Sequence, residues 1–154
     1  MLDNLKKAFG KGWQAPAIQP LPDGMSVKVA GIEYHSNEMA AISTIMKKWD
    51  MTDEQIRKKY PGKKIYHYYF TTDPVELIPE PTNQHDPNAI KVVIAGQHVG
   101  YIPKTDTELV QAFLVIPHLI TAQISGGDYK IINEDGSKVQ FSEPLSVTVR
   151  IKKG

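Results

Sequence analysis

The chain has no cysteine, no long apolar run and no excess of charge of either sign, and each absence removes a class of function. Without cysteine there is no disulfide, no thiolate nucleophile and no Cys-type zinc site, so a metal would have only imidazole and carboxylate to hold it. Without a run approaching about 18 apolar residues, neither a signal peptide nor a membrane span is expected, and the protein is expected to be cytoplasmic. Lysine and arginine number 18 against 17 aspartates and glutamates, a formal net charge of +1. A broad cationic field that captures duplex DNA along its length is therefore not indicated, and nucleic-acid contact should be local, made by a few residues in a pocket. Repeats and low-complexity stretches are absent too, and 154 residues suit one domain able to bury a core without staples.

What the chain does have is eleven prolines and eleven glycines punctuating short apolar stretches. Residues 1–24 read as an arm: Leu2, Leu5 and Phe9 at helical spacing opposite Lys6, Lys7 and Lys11, then an extended linker with Pro16, Pro20 and Pro22. The domain proper is expected over residues 25–154. Met25 to Ile32 alternates as a first strand. Ser36-Asn37-Glu38 offers caps for a helix running through Met39, Ile42, Ile45, Met46 and Trp49, and Thr52-Asp53-Glu54-Gln55 is a capping-box pattern for a second helix that Pro61-Gly62 stops. Lys64 to Thr71 and Val75 to Pro79 read as strands. The aromatics Tyr66, Tyr68, Tyr69 and Phe70 suit core on one face and lid on the other, with base stacking the alternative. Thr105-Asp106-Thr107-Glu108 repeats the capping-box pattern before a helix that Pro117 ends. Leu119–Ser125, Asp128–Asn133, Lys138–Phe141 and Leu145–Ile151 are predicted strands, with a turn at Asn133–Gly136. Many short strands and few helices predict a mainly β, small antiparallel barrel with added helices, α+β in character.

The polar chemistry concentrates between Glu80 and Pro103. Asn83-Gln84-His85-Asp86-Pro87-Asn88 gathers amides, a carboxylate and an imidazole, Ile90, Val92 and Ile94 start a strand at once, and Ala95-Gly96-Gln97 turns the chain into His98–Ile102. Asp86-Pro87-Asn88 is a turn with a mechanism, because proline pre-sets φ and Asx side chains bond nearby backbone N–H groups. On that reading Asp86 and Asn88 serve only their own turn.

Glu80-Pro81, Asn83 to Val92 with its Asn-Ala-Ile-x-Val run, and Val99-Gly100-Tyr101-Ile102-Pro103 together resemble the core signature of HIRAN domains, the modules of helicase-like transcription factor and of standalone bacterial and phage proteins. The resemblance runs from about Val27 to Ile151. It implies an OB-like barrel, in which residues 36–62 stand out as a helical insertion, and a non-catalytic module that binds the free 3′ end of single-stranded DNA, without cofactor or metal. Asp86 matches the carboxylate that accepts a hydrogen bond from the 3′-hydroxyl, and Asn83 the asparagine beside it. Tyr34 falls on the aromatic that packs against the terminal base, and His85 stands where the family loop has tyrosine. Tyr101 and Lys104 lie on positions that meet phosphates, and Phe141 matches a phenylalanine that stacks on a base. The departure is Glu33, where DNA-binding members carry arginine: a phosphate clamp becomes a charge that repels phosphate. Arg150, Lys28 or another cation then substitutes, or the ligand differs.

Two other functions compete. A metal-dependent nuclease would use His85, Asp86 and His98 or His35 with Asp128 or Glu80, but lacks the spacing of a known metal motif. A protein-interaction module of a mobile element needs no polar pocket. A repair or replication protein is the expected macromolecular partner beyond the DNA itself.

Overall fold

The computed structural model describes residues 20–154; the amphipathic helix expected over residues 1–12 and the part of the expected linker before residue 20 lie outside them. In chain order the strands are β1 (Gly24–Lys28), β2 (Ser43–Ile45), β3 (Ile65–Tyr66), β4 (Tyr68–Phe70), β5 (Val75–Pro79), β6 (Ile90–Ile94), β7 (Gln97–Tyr101), β8 (His118–Ile132) and β9 (Lys138–Lys153). The helices are α1 (Ser36–Ala41), α2 (Asp53–Lys59) and α3 (Thr107–Leu114), with 3-10 turns at Ile32–Tyr34, Lys47–Asp50 and Lys104–Asp106.

All pairing among the described strands is antiparallel, in three sheets ordered β1-β9-β8-β3, β2-β4 and β5-β6-β7. A mainly β, antiparallel fold with a few added helices is thus present, although the sheets do not hydrogen-bond into a closed barrel. The alternation along β9 acts as its period dictates: Val147, Val149 and Ile151 are fully buried while Arg150 and Lys152 face water. Each such burial contributes about 1.5–3 kcal/mol. They join Val27, Ile90, Val92, Ile94, Val99, Val110 and Phe113 in the main core. A second, smaller cluster of Ile56, Ile65 and Ile132, with Trp49, Met51 and Tyr60 against it, lies under α2 and the far end of β8.

Three expectations are corrected. The helix predicted from Ser36 through Trp49 stops at Ala41, because Ser43–Ile45 pairs with Tyr68–Phe70 instead; Thr44 and Ile45 are β-branched, and a strand partner 25 residues on outweighs local periodicity. Ile45 consequently is about half exposed rather than core-facing. The four C-terminal strands are two long ones, interrupted by a bulge where Ser125 pairs with Ser146 and Gly127 with Glu143. Pro144, which has no N–H for the ladder, falls in that irregularity, and Gly126 and Gly127 supply φ of 91° and 94°. The capping box at Thr105–Glu108 does not form: a 3-10 turn leads into α3, and the Thr107 hydroxyl donates to the Lys104 carbonyl at 3.0 Å. The box at Thr52 does form, Thr52 and Gln55 bonding reciprocally at 3.2 and 3.0 Å.

Candidate functional site

The loop between β5 and β6 is built by its own side chains. Asn83 accepts from the backbone N–H groups of His85 and Asp86 at 2.9 and 3.0 Å, Asp86 Oδ1 accepts from Asn88 N–H at 2.9 Å, and Ala89 N–H returns to the Asp86 carbonyl at 3.0 Å. This Asx mechanism is legible in the letters. The residue that ties the loop to the sheet is Glu80. Its Oε1 accepts from Asn83 Nδ2 at 2.8 Å and from the Tyr101 hydroxyl at 2.8 Å. The Asn83 bond, then that of Tyr101, hold the Glu80 carboxyl below the usual range, while burial and the Glu80 bond push the Tyr101 hydroxyl up. Sequence reasoning uses Glu80 only as part of the motif and as a metal-ligand alternative; its three-residue spacing to Asn83 is the available signal.

Tyr101 also joins the loop to the segment carrying Tyr34. Its backbone pairs with Ala30, N to O and O to N, both at 2.9 Å. A side chain at Gly100 would sit 2.4 Å from the Ala30 carbonyl, so glycine in Val-Gly-Tyr is what lets the two chains meet. From there Gly31, at φ 79°, turns the chain into the Ile32–Tyr34 turn. The ring of His35 lies 4.4 Å from that of His98, which meets Tyr101 edge-on at 4.8 Å. Burial, then the nearby His35, lowers the His98 pKa, consistent with a neutral ring bonded to the Gly100 carbonyl.

The expected site residues therefore divide. Glu80 links Asn83 to Tyr101, and Tyr101 pairs with Ala30 on the segment that carries Tyr34; His85 and Asp86 share the loop of Asn83, and Lys104 lies three residues beyond Tyr101. Tyr34 is 83% exposed and thus no core residue. Asp86 is half-buried and its second carboxylate oxygen has no hydrogen-bond partner among the described residues. Asn83 and Tyr101 are engaged internally, as organisers. Phe141 stands apart on the distal half of the hairpin, 63% exposed and stacked on Tyr129. A cleft of about 630 Å³ is lined by Ile32, Glu33, Ser36, Gly127, Asp128 and Ser142 among others, and by none of the expected site residues. Glu33 thus faces a recess that also presents Asp128 and Glu143. The Glu143 carboxylate is occupied by the Lys64 ammonium and by the Tyr66 hydroxyl at 3.1 Å, the Lys64 bond chiefly holding its pKa down. Among the described residues no three His, Asp or Glu side chains gather as metal ligands.

The HIRAN domain family model matches residues 22–125, two-thirds of the chain. The chain belongs to the HIRAN domain family. HIRAN domains are DNA-binding modules, and membership supports nucleic-acid binding by this one. Among solved structures it is similar to a protein from Lactobacillus plantarum, at 16% identity over 82% of this chain and 91% of that one, with a TM-score of 0.36. It is similar also to the HIRAN domain of human HLTF, at 16% identity over 84% and 76% of the two chains, with a TM-score of 0.31. Comparison with curated proteins gives no match. No helix among the described residues of this HIRAN domain is long and apolar enough to cross a membrane.

Proposed function

We propose that this HIRAN domain is a non-catalytic module that holds the 3′-hydroxyl end of single-stranded DNA, acting beside a repair or replication protein. The observation that carries the reading is the second carboxylate oxygen of Asp86, which has no hydrogen-bond partner among the described residues, on a loop that Asn83 and Glu80 hold in place. An ionised carboxylate only accepts, so it takes a hydroxyl hydrogen and repels a terminal phosphate. Tyr34, exposed beside Glu33, offers a face to the terminal base, His85 a second ring in the loop, and Lys104 a point charge for a phosphate. Tyr101 supports the loop through Glu80. The test is the affinity for a short oligothymidine ending in 3′-hydroxyl against the same strand ending in 3′-phosphate. At least tenfold tighter binding of the hydroxyl form is expected; equal binding removes end recognition.

A further inference from the structure

The positive charge of this molecule is not spread evenly. Residues 47–64 carry six lysines and Arg57 against three carboxylates, so with +1 for the whole chain the remainder is net acidic. Some of these charges are neutralised: Glu54 pairs with Arg57 and Lys58, and Asp53 with Lys138. Lys47, Lys59 and Lys63 have no carboxylate partner among the described residues.

This cationic segment borders an aromatic groove. Trp49 stacks on His67, ring centres 4.3 Å apart and 16° between planes, and His67 on Tyr68 at 4.0 Å. Facing them across a space of about 560 Å³ are Tyr129 and Phe141, themselves stacked at 6.4 Å, with Gln140, Ser142 and Asp128 supplying polar atoms. The Trp49 wall is fixed from behind. Lys130, buried, donates to the Trp49 carbonyl at 2.9 Å and sits 4.3 Å from the ring centre. Lys64, paired with Glu143, lies 4.7 Å from the Tyr129 ring on the other wall. Asp128 and Ser142, paired across β8 and β9, line both this groove and the cleft that holds Glu33.

We infer that the groove between Trp49–His67 and Tyr129–Phe141 is a second subsite for single-stranded nucleic acid, taking unpaired bases upstream of the end while the lysines of residues 47–64 meet their phosphates. Phe141, 63% exposed, offers a ring face to an unpaired base, a paired duplex has no free base to place on it, and the charge complements a phosphate backbone. The inference rests on the reading of the end site for strand direction only. It also accounts for Glu33: the phosphate clamp absent from that position is supplied by the 47–64 segment.

The experiment compares a three-nucleotide and a ten-nucleotide oligothymidine, each with 3′-hydroxyl or 3′-phosphate, on wild type, on Lys47→Gln/Lys63→Gln and on Phe141→Ala. All three substituted side chains lie outside the buried core, which keeps folding intact. The expected result is about tenfold weaker binding of the ten-mer by either variant, with the trimer unchanged. The lysine pair also reduces the log-log salt slope for the ten-mer by about 1.4, some 0.7 for each phosphate no longer neutralised. Quenching of Trp49 fluorescence, read in a Trp13→Phe background, should accompany the ten-mer and not the trimer. Unchanged ten-mer affinity in both variants overturns the subsite, even where the trimer still discriminates hydroxyl from phosphate. Loss of that discrimination with the variant effects retained overturns the end reading and leaves the subsite standing. Equal displacement of the ten-mer by poly-glutamate also overturns it, since the surface is then a charge patch that reads no bases.

Discussion

Asp86 uses one carboxylate oxygen to hold the Asn88 N–H and leaves the other out, so turn-forming and ligand-binding roles separate by a single substitution. Asp86→Asn keeps an acceptor for the turn and removes the charge. Its melting temperature should stay within about 2 °C of wild type, since a turn bond is retained, while preference for a 3′-hydroxyl strand falls by about tenfold or more, as expected when a charge-assisted bond is removed. A large fall in melting temperature with discrimination intact would return Asp86 to the turn alone. Glu33 carries the opposite expectation. It faces the cleft, and two unit charges about 5 Å apart at an effective dielectric near 20 interact by roughly 3 kcal/mol, which exposure reduces to about 1. Glu33→Arg should therefore tighten strand binding several-fold, with a gain that shrinks as salt is added. No gain at low salt would mean that phosphates keep clear of the cleft wall. Glu80 gives a pH signature. Its carboxyl is held below the ordinary 4.5, so its contribution to stability is complete above that value and is lost as pH falls through the lower folded value. Glu80→Gln should show a shallower loss of melting temperature than wild type below pH 4.5; parallel curves would mean that its bonds to Asn83 and Tyr101 do not matter for folding.

Elements were legible where the causes are local. Thr52 with Gln55, strand β5 at Val75–Pro79 and the turn at Ala95–Gly96 could be read because cap, alternation and turn chemistry lie within a few residues. β2 could not, since Ser43–Ile45 is a strand only by virtue of Tyr68–Phe70, and a helical periodicity occupies the same letters. The site divides in the same way: the Asx bonds of Asn83 and Asp86 follow from spacing, whereas Tyr101 reaching back 21 residues to Glu80, or Trp49 meeting His67, depends on tertiary placement. The most sensitive element is the β8–β9 hairpin at its bulge. A methyl on Gly126 would stand 2.2 Å from the Pro144 carbonyl oxygen at a φ of 91°. Gly126→Ala should lower stability by at least about 2 kcal/mol, read from urea unfolding; a loss under about 0.5 kcal/mol would mean that the hairpin relaxes freely there.

At the scale of the whole molecule, a net charge of +1 with seven cations within residues 47–64 predicts a length-dependent response to salt. A short strand held at the end site has two or three of its phosphates neutralised, for a log-log slope of about −1.4 to −2.1. A steeper slope for the trimer would place the lysines within reach of the terminal nucleotides. The letters reveal the charge balance and the basic run at residues 47–64, but not that Trp49 of that run meets His67, which depends on tertiary placement beside the second core of Ile56, Ile65 and Ile132. The bulge gives the hairpin a lever arm. From Gly127 to Ile132 the hairpin runs five residues, about 17 Å at strand rise, so a ten-degree change of bend at Gly126 carries its tip about 3 Å. That distance is close to the thickness of one nucleobase, so the backbone angles at Gly126 and Gly127, which line the cleft, set its spacing on the scale of a single base.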